Sequence, residues 1–320
     1  MSNTKRMSAA DAVATFIHDG DCLALGGFVT NRRPYALVRE ILRQGKRNLY
    51  IEGGPSGGDI DMLVGAGRAT AIMVSYIANS GYTAVGRRFR EAVETGTLLF
   101  EDFSLDVQTI AYHAAALGLP YIPVSNMLGS DLEYRWGISE EERARHPKLP
   151  RMKFVILEDP FNPGKRLCCI PTPTIDVACI HVQMASPDGT CRLEGAPFQD
   201  MDIAIAARHT IVSCETIVSN EEIRKGPEKN FLPGLCVDAV VLAPYGAHPS
   251  QCFGHYDYDG RMFIEYDRAS RTREDFDVFI AEYVTSCPTH EAYLDRIGAS
   301  RLTALSIQPG LGHAPGLKRK

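Results

Sequence analysis

Gly54-Pro55-Ser56-Gly57-Gly58 matches G-x-S-x-G, the pattern in which a nucleophilic serine sits on a sharp turn between a strand and a helix. The run follows an apolar stretch and precedes a helical one, as such an elbow requires. A hydrolase triad also needs an acid and then a histidine further along. Asp176 or Asp238 with His248 supplies the residue types, but no motif surrounds them. A proline directly before the serine, among Gly53, Gly54, Gly57 and Gly58, fits a turn that a ligand approaches closely, and this plainer reading is preferred. Glu52 ends the same apolar stretch and offers a nucleophilic or acid/base carboxylate. An exposed charge beside a turn explains it more simply and is favoured. Glu101-Asp102 ends another strand just before a helix whose dipole favours carboxylates. The same placement suits an active-site acid, so both readings stand.

Metal and nucleotide chemistry find no support. Cys179 and His181 lack zinc spacing, and Cys168-Cys169 are adjacent. Neither G-x-G-x-x-G nor G-x-x-x-x-G-K-[ST] occurs, so nicotinamide, flavin and nucleotide hydrolysis lack a motif. His248-Pro249-Ser250-Gln251 reads as a polar loop more readily than as a pocket wall. Nine cysteines, an odd number in 320 residues, are too sparse for a disulfide scaffold and behave as small apolar residues. A net charge of −5 gives no basic face for nucleic acid, and Lys318-Arg319-Lys320 reads as a solvated tail. Residues 1–10 hold no apolar h-region, and no uncharged run approaches the roughly 20 residues of a membrane span. No membrane partner and a cytoplasmic location are expected.

The elements that must position these residues alternate in type. Ser8 caps a helix with the apolar stripe Val13, Phe16 and Ile17, which stops at Gly20. A strand at 22–25 leads into Gly26-Gly27-Phe28. A helix follows Pro34, with Leu37, Val38, Ile41 and Leu42 at helical spacing. Strands are expected at 48–51, 71–76 and 98–100, and helices at 59–64, at 83–95 and from Ser104. This alternation predicts a largely parallel open sheet with right-handed crossovers, whose glycine turns gather at the carboxyl edge where ligands bind. Beyond Pro123 the rhythm breaks. An irregular insertion at about 126–170 includes a hairpin around Asn162-Pro163-Gly164. Strands at 175–182, 210–214 and 237–243 and helices at 204–208 and 273–284 complete a single domain over 1–320.

Several stretches resemble the α subunit of family I CoA-transferases, and within it the glutaconate branch. They are Leu23-Ala-Leu-Gly-Gly-Phe28 with Arg33-Pro34-Tyr35, Ser75-Tyr76-Ile77-Ala78-Asn79-Ser80-Gly81, Phe100-Glu101-Asp102-Phe103-Ser104 and Ala114-Ala-Ala-Leu-Gly-Leu-Pro120. The likeness continues through Trp136-Gly137-Ile138-Ser139, Ala185-Ser186-Pro187-Asp188-Gly189-Thr190, Phe198-Gln199-Asp200, the run from Cys236 to Val241 and Ala243-Pro-Tyr-Gly-Ala-His-Pro-Ser-Gln251. The resemblance implies an α/β fold of the CoA-transferase and ribose-phosphate-isomerase type. It also implies transfer of CoA from acetyl-CoA to glutaconate or (R)-2-hydroxyglutarate, in glutamate fermentation. CoA and acetyl-CoA are then substrates, and no cofactor is needed. The implied nucleophile is a glutamate of a partner β subunit, in a hetero-octamer of four α and four β chains, so this chain alone should be inactive. On this chain the implied substrate-binding residues are Gly26, Gly27, Phe28, Arg32 (or Arg33), Gly53, Gly54, Ser75, Asn79 and Ser80. Glu52-Gly53 only weakly echoes the partner's motif. The alternative implied by the superfamily is a ring-opening CoA-ester hydrolase with Glu101 as acid/base.

Overall fold

The computed structural model describes residues 4–316, so Lys318-Arg319-Lys320 lies outside the described residues. In chain order the strands are β1 (Arg6–Met7), β2 (Cys22–Leu25), β3 (Leu49–Ser56), β4 (Ala69–Ile77), β5 (Leu99–Asp102), β6 (Tyr121–Val124) and β7 (Val155–Glu158). They continue with β8 (Arg166–Pro171), β9 (Val177–Ala185), β10 (Cys191–Arg192), β11 (His209–Ile217), β12 (Asn230–Leu232) and β13 (Ala239–Leu242). The main sheet runs β1-β13-β11-β9-β2-β3-β4-β5, every neighbouring pair parallel, with β10 and β12 attached antiparallel beside β9.

Strand order reverses between β2 and β9. From β2 the chain builds outward to β5; from β9 it builds the other way through β11 to β13. An open parallel sheet has its crevice at such a switch point, beyond the carboxyl ends of the strands. Helices cover both faces. The helix Ala9–Phe16 starts where Ser8 Oγ accepts the Asp11 N–H at 3.0 Å, and the helix Tyr35–Arg43 buries Leu37, Val38, Ile41 and Leu42. These pack with Leu23, Leu25, Ile51 and Ile72 in the larger core, whereas Ala24, Ala178, Ile180 and Val212 face the helices Leu105–Ala116 and Asp200–Ala206.

Two expectations are corrected. The second strand does not stop before the glycine run: β3 continues through Gly53 and Gly54 to Ser56, which pairs with Ile77. The insertion is also more ordered than its composition suggests, for β6, β8 and β7 form a three-stranded antiparallel sheet, with β7 and β8 as the expected hairpin.

A buried ion cluster fastens that insertion to the main sheet. Glu101, on β5, forms an ion pair with Arg143 and lies 3.0 Å from Lys153 Nζ, and all three side chains are buried. The Gly137 N–H donates to Glu101 Oε1 at 3.1 Å. A Cβ at Gly137 would meet the Phe100 carbonyl oxygen at 2.0 Å, so only glycine allows this approach. Removing one member of a buried ion cluster leaves the remaining charges stranded and costs about 3–5 kcal/mol. Glu101→Gln should lower unfolding stability by an amount in this range and speed proteolysis within 126–170. Denaturant unfolding with mass mapping of the early cuts checks both.

Candidate active site

At the switch point, the end of β2 is held by backbone and carboxylate together. The Gly26 N–H donates to the Cys179 carbonyl at 2.9 Å, and the Gly27 N–H donates to Asp200 Oδ1 at 2.7 Å. Gly27 has φ +80°, and a Cβ there would meet the Asn31 carbonyl oxygen at 2.5 Å, so both conformation and space call for glycine. Phe28 stacks on Phe198 with ring centroids 4.9 Å apart, half-buried at the rim. Gly26, Gly27 and Phe28 therefore gather at the carboxyl edge.

The arginines do not reach that edge as free charges. Arg32 is buried, ion-paired with Asp200, and donates to the His181 carbonyl at 2.7 Å and the Ala196 carbonyl at 3.1 Å. Arg33 is wholly buried against Asp59, its Nε 2.7 Å from Oδ2. Both arginines hold the turn after β2 in place, because a guanidinium removed from water needs a carboxylate and carbonyls around it.

Gly53 and Gly54 are buried inside β3. Gly53 pairs with Val74, and a Cβ on Gly54 would lie 1.8 Å from Gln199 Oε1. Gly54 is thus a packing glycine under the Gln199 amide, whose Nε2 donates to Thr109 Oγ1 at 2.6 Å. Asn79 is also buried, and its Oδ1 accepts the Gly58 N–H at 2.8 Å. It braces the glycine turn and does not offer that oxygen to a ligand. Ser80 is exposed, with its hydroxyl 2.9 Å from that of Tyr76. Ser75 Oγ is buried and has no hydrogen-bond partner among the described residues.

The remaining candidates resolve as follows. Ser56 is buried and its hydroxyl donates to the Gly54 carbonyl at 2.9 Å, while His248 is bonded to Tyr293 and Asp259. No serine triad forms from these residues. Glu101 is buried, held by two cations and a backbone N–H at the joint with the insertion. Glu52 is not the exposed charge expected. It lies within β3, nearly buried, and burial pushes its carboxyl up to about 8. His181 bonds Ser213 and Glu215, and Glu215 also accepts from Tyr256 and Tyr245, so this cluster near Cys252 is satisfied within the protein. Sequence reasoning on chemistry passed over Asp200, Gln199, Gln108 and Tyr112. Phe198-Gln199-Asp200 was visible only as part of the family likeness.

The model of the coenzyme A transferase family matches residues 6–243. This chain belongs to that family. It is 55% identical over 310 residues to the A-type subunit of glutaconate CoA-transferase from Acidaminococcus fermentans, covering 97% of each chain. The crystal structure of glutaconate coenzyme A-transferase from that organism superimposes with a TM-score of 0.96, over 97% of this chain and 98% of that one. A cholesterol ring-cleaving hydrolase IpdA subunit of Rhodococcus jostii is 29% identical over 88% of this chain and 92% of its own. The chain is a CoA-transferase α-type subunit with the mostly parallel α/β fold of its family. No helix among the described residues is long and apolar enough to cross a membrane.

The fold of this chain thus depends at its switch point on a buried pair. Asp200→Asn should destabilise the chain by about 3–5 kcal/mol, because Arg32 remains buried without an anion. The double variant Asp200→Asn, Arg32→Met should lose less than the sum of the two single changes. A double-mutant cycle in denaturant unfolding checks this; strict additivity would show that the two side chains are not coupled.

Proposed function

We propose that this chain is the α subunit of an enzyme that transfers CoA from acetyl-CoA to glutaconate or (R)-2-hydroxyglutarate, active only with a β subunit. The observation that carries the proposal is the 55% identity and matching structure over nearly the full length of both chains. The chain's own carboxylates fit this division of labour. Glu52 is shut within a strand, and Glu101 and Asp200 are bound to cations, so none stands ready as a nucleophile at the glycine edge.

In the proposed reaction a β-subunit glutamate attacks the thioester carbonyl, forming a mixed anhydride and releasing CoA thiolate. The thiolate attacks the glutamyl carbonyl, giving a glutamyl-CoA thioester and free acetate. The incoming dicarboxylate displaces the thiolate to form a second anhydride, and the thiolate attacks the new acyl carbonyl, restoring the glutamate. Each carbonyl changes partner without hydrolysis, which requires water to be excluded. This chain supplies the other wall: the braced Gly26-Gly27-Phe28 turn and the unpartnered Ser75 hydroxyl as a donor to the acceptor's carboxylate. The assembly is a cytoplasmic hetero-octamer that needs no cofactor beyond its CoA substrates.

The second reading, ring-opening hydrolysis, is favoured by the likeness to the ring-cleaving subunit. It asks Glu101 to meet a substrate, yet that side chain is fully buried and paired with Arg143 and Lys153. The test is co-expression with the β subunit, then acetyl-CoA followed by borohydride. Transfer requires a β-subunit glutamate reduced to its alcohol, loss of activity in step with it, and no activity from the α chain alone. Free acetate and CoA without transfer, or turnover by the α chain alone, overturns the proposal.

A further inference from the structure

A cavity of about 420 Å³ stands on the sheet face covered by the helix Leu105–Ala116. Glu52 and Met73, paired across the middle of β3 and β4, form its floor, and Gln108 and Tyr112 descend to them from the helix Leu105–Ala116. Its rim includes Thr172 and Thr174, which precede β9 and so stand at the amino ends of the strands, whereas Gly26, Gly27 and Asn79 stand at the carboxyl ends. The cavity and the glycine edge are separate places.

The floor is rich in acceptors and poor in charge compensation. Tyr112 Oη donates to Glu52 Oε2 at 3.2 Å. Gln108, only 3% exposed, donates through Nε2 to the Met73 carbonyl at 2.9 Å, and its Oε1 is buried with no partner among the described residues. No basic side chain among the described residues lies within ion-pair distance of Glu52. Each charged or titratable group facing it is occupied or neutral. From the rim, Lys148 is paired with Asp176 and Arg143 with Glu101. From β2 the buried Cys22 thiol, and from the roof the buried Tyr112 hydroxyl, are both raised well above their usual values by burial.

We propose that this cavity binds a small primary ammonium ion with a short apolar chain, its N–H groups meeting the Glu52 carboxylate and Gln108 Oε1 and its chain lying against Met73, Phe103 and Leu149. An ammonium brings three donors and one positive charge, which answers both the carboxylate and the orphaned carbonyl. With Glu52 ionised, an anion would face two acceptors, and a neutral alcohol brings one donor for two acceptors. Binding requires Glu52 to be ionised, so below about 8 the arriving cation displaces the carboxyl proton to solvent. The site does not rest on the transferase reading.

The test is calorimetric titration of n-butylammonium chloride into the full-length chain, co-purified with its β subunit, at pH 7 and pH 9, each in two buffers of different ionisation enthalpy. The probe stays cationic throughout, as an alkylammonium titrates near 10.4. Release of close to one proton per bound ion is expected at pH 7 and almost none at pH 9, with affinity rising about tenfold as the carboxyl ionises. Glu52→Gln should abolish the proton release and weaken binding at pH 9 at least about tenfold. Gln108→Leu should weaken binding at both pH values yet keep the proton release at pH 7, and it serves should Glu52→Gln fail to fold. No saturable binding by the unaltered chain at about millimolar probe, equal affinity at the two pH values, or unchanged binding in either variant overturns the proposal.

Discussion

The Asp200 carboxylate is the contact on which the carboxyl edge depends. It lies where strand order reverses, taking the Gly27 N–H with one oxygen and the Arg32 guanidinium with the other. Its two predecessors act within the same few ångströms: Gln199 fills the space above Gly54, and Phe198 stacks on Phe28. Three consecutive residues from the β10-to-β11 connection therefore set the ends of two strands that lie far earlier in the chain. At Gly26 and Gly54 glycine is required because Asp200 and Gln199 of that connection occupy the places where Cβ atoms would go.

Several buried charges in this chain are met by an opposite charge. Arg32 meets Asp200, Arg33 meets Asp59, and Glu101 meets Arg143 and Lys153. Such groups add little net stability over apolar substitutes, but they penalise any arrangement that separates them, and so fix register and position. Glu52 departs from this pattern, as do Asp61, held by the Tyr266 hydroxyl and the Phe89 N–H, and Arg39, held by the His248 carbonyl. Glu52 has a phenol and an amide for neighbours, and burial meets no counter-charge, so the carboxyl keeps its proton through neutral pH.

The parallel sheet was legible because its early strands are short apolar runs bounded by glycine, and Cys22–Leu25 matches its expected limits. The hairpin around Asn162-Pro163-Gly164 was legible from turn chemistry. By contrast, β6 was hidden by Pro123 within it; as an edge strand paired only with β8 it tolerates a proline. The helices Gly260–Ala269 and His290–Ile297 were missed, because short helices show weak periodicity and their caps, Asp259 and Thr289, carry little signal alone. At the site, Gly26-Gly27-Phe28 follows the end of β2 as expected, whereas Gly53 and Gly54 lie inside β3. Residue types left the arginines, Asn79 and Glu52 misassigned, since whether a polar side chain faces solvent, a partner or the interior depends on contacts distant in sequence. Arg32 and Asp200 are 168 residues apart.

The joint between β5 and the insertion also limits how this chain can change. For Glu101 to reach a ligand, its carboxylate would have to leave both Arg143 and Lys153. Losing only one leaves the glutamate still tethered to the other cation and the insertion less firmly seated, with no new reactivity in return. Two changes must arrive nearly together, or pass through a weakened intermediate. The place of this acid in the fold is thus set by the two cations of the insertion as much as by the strand that carries it.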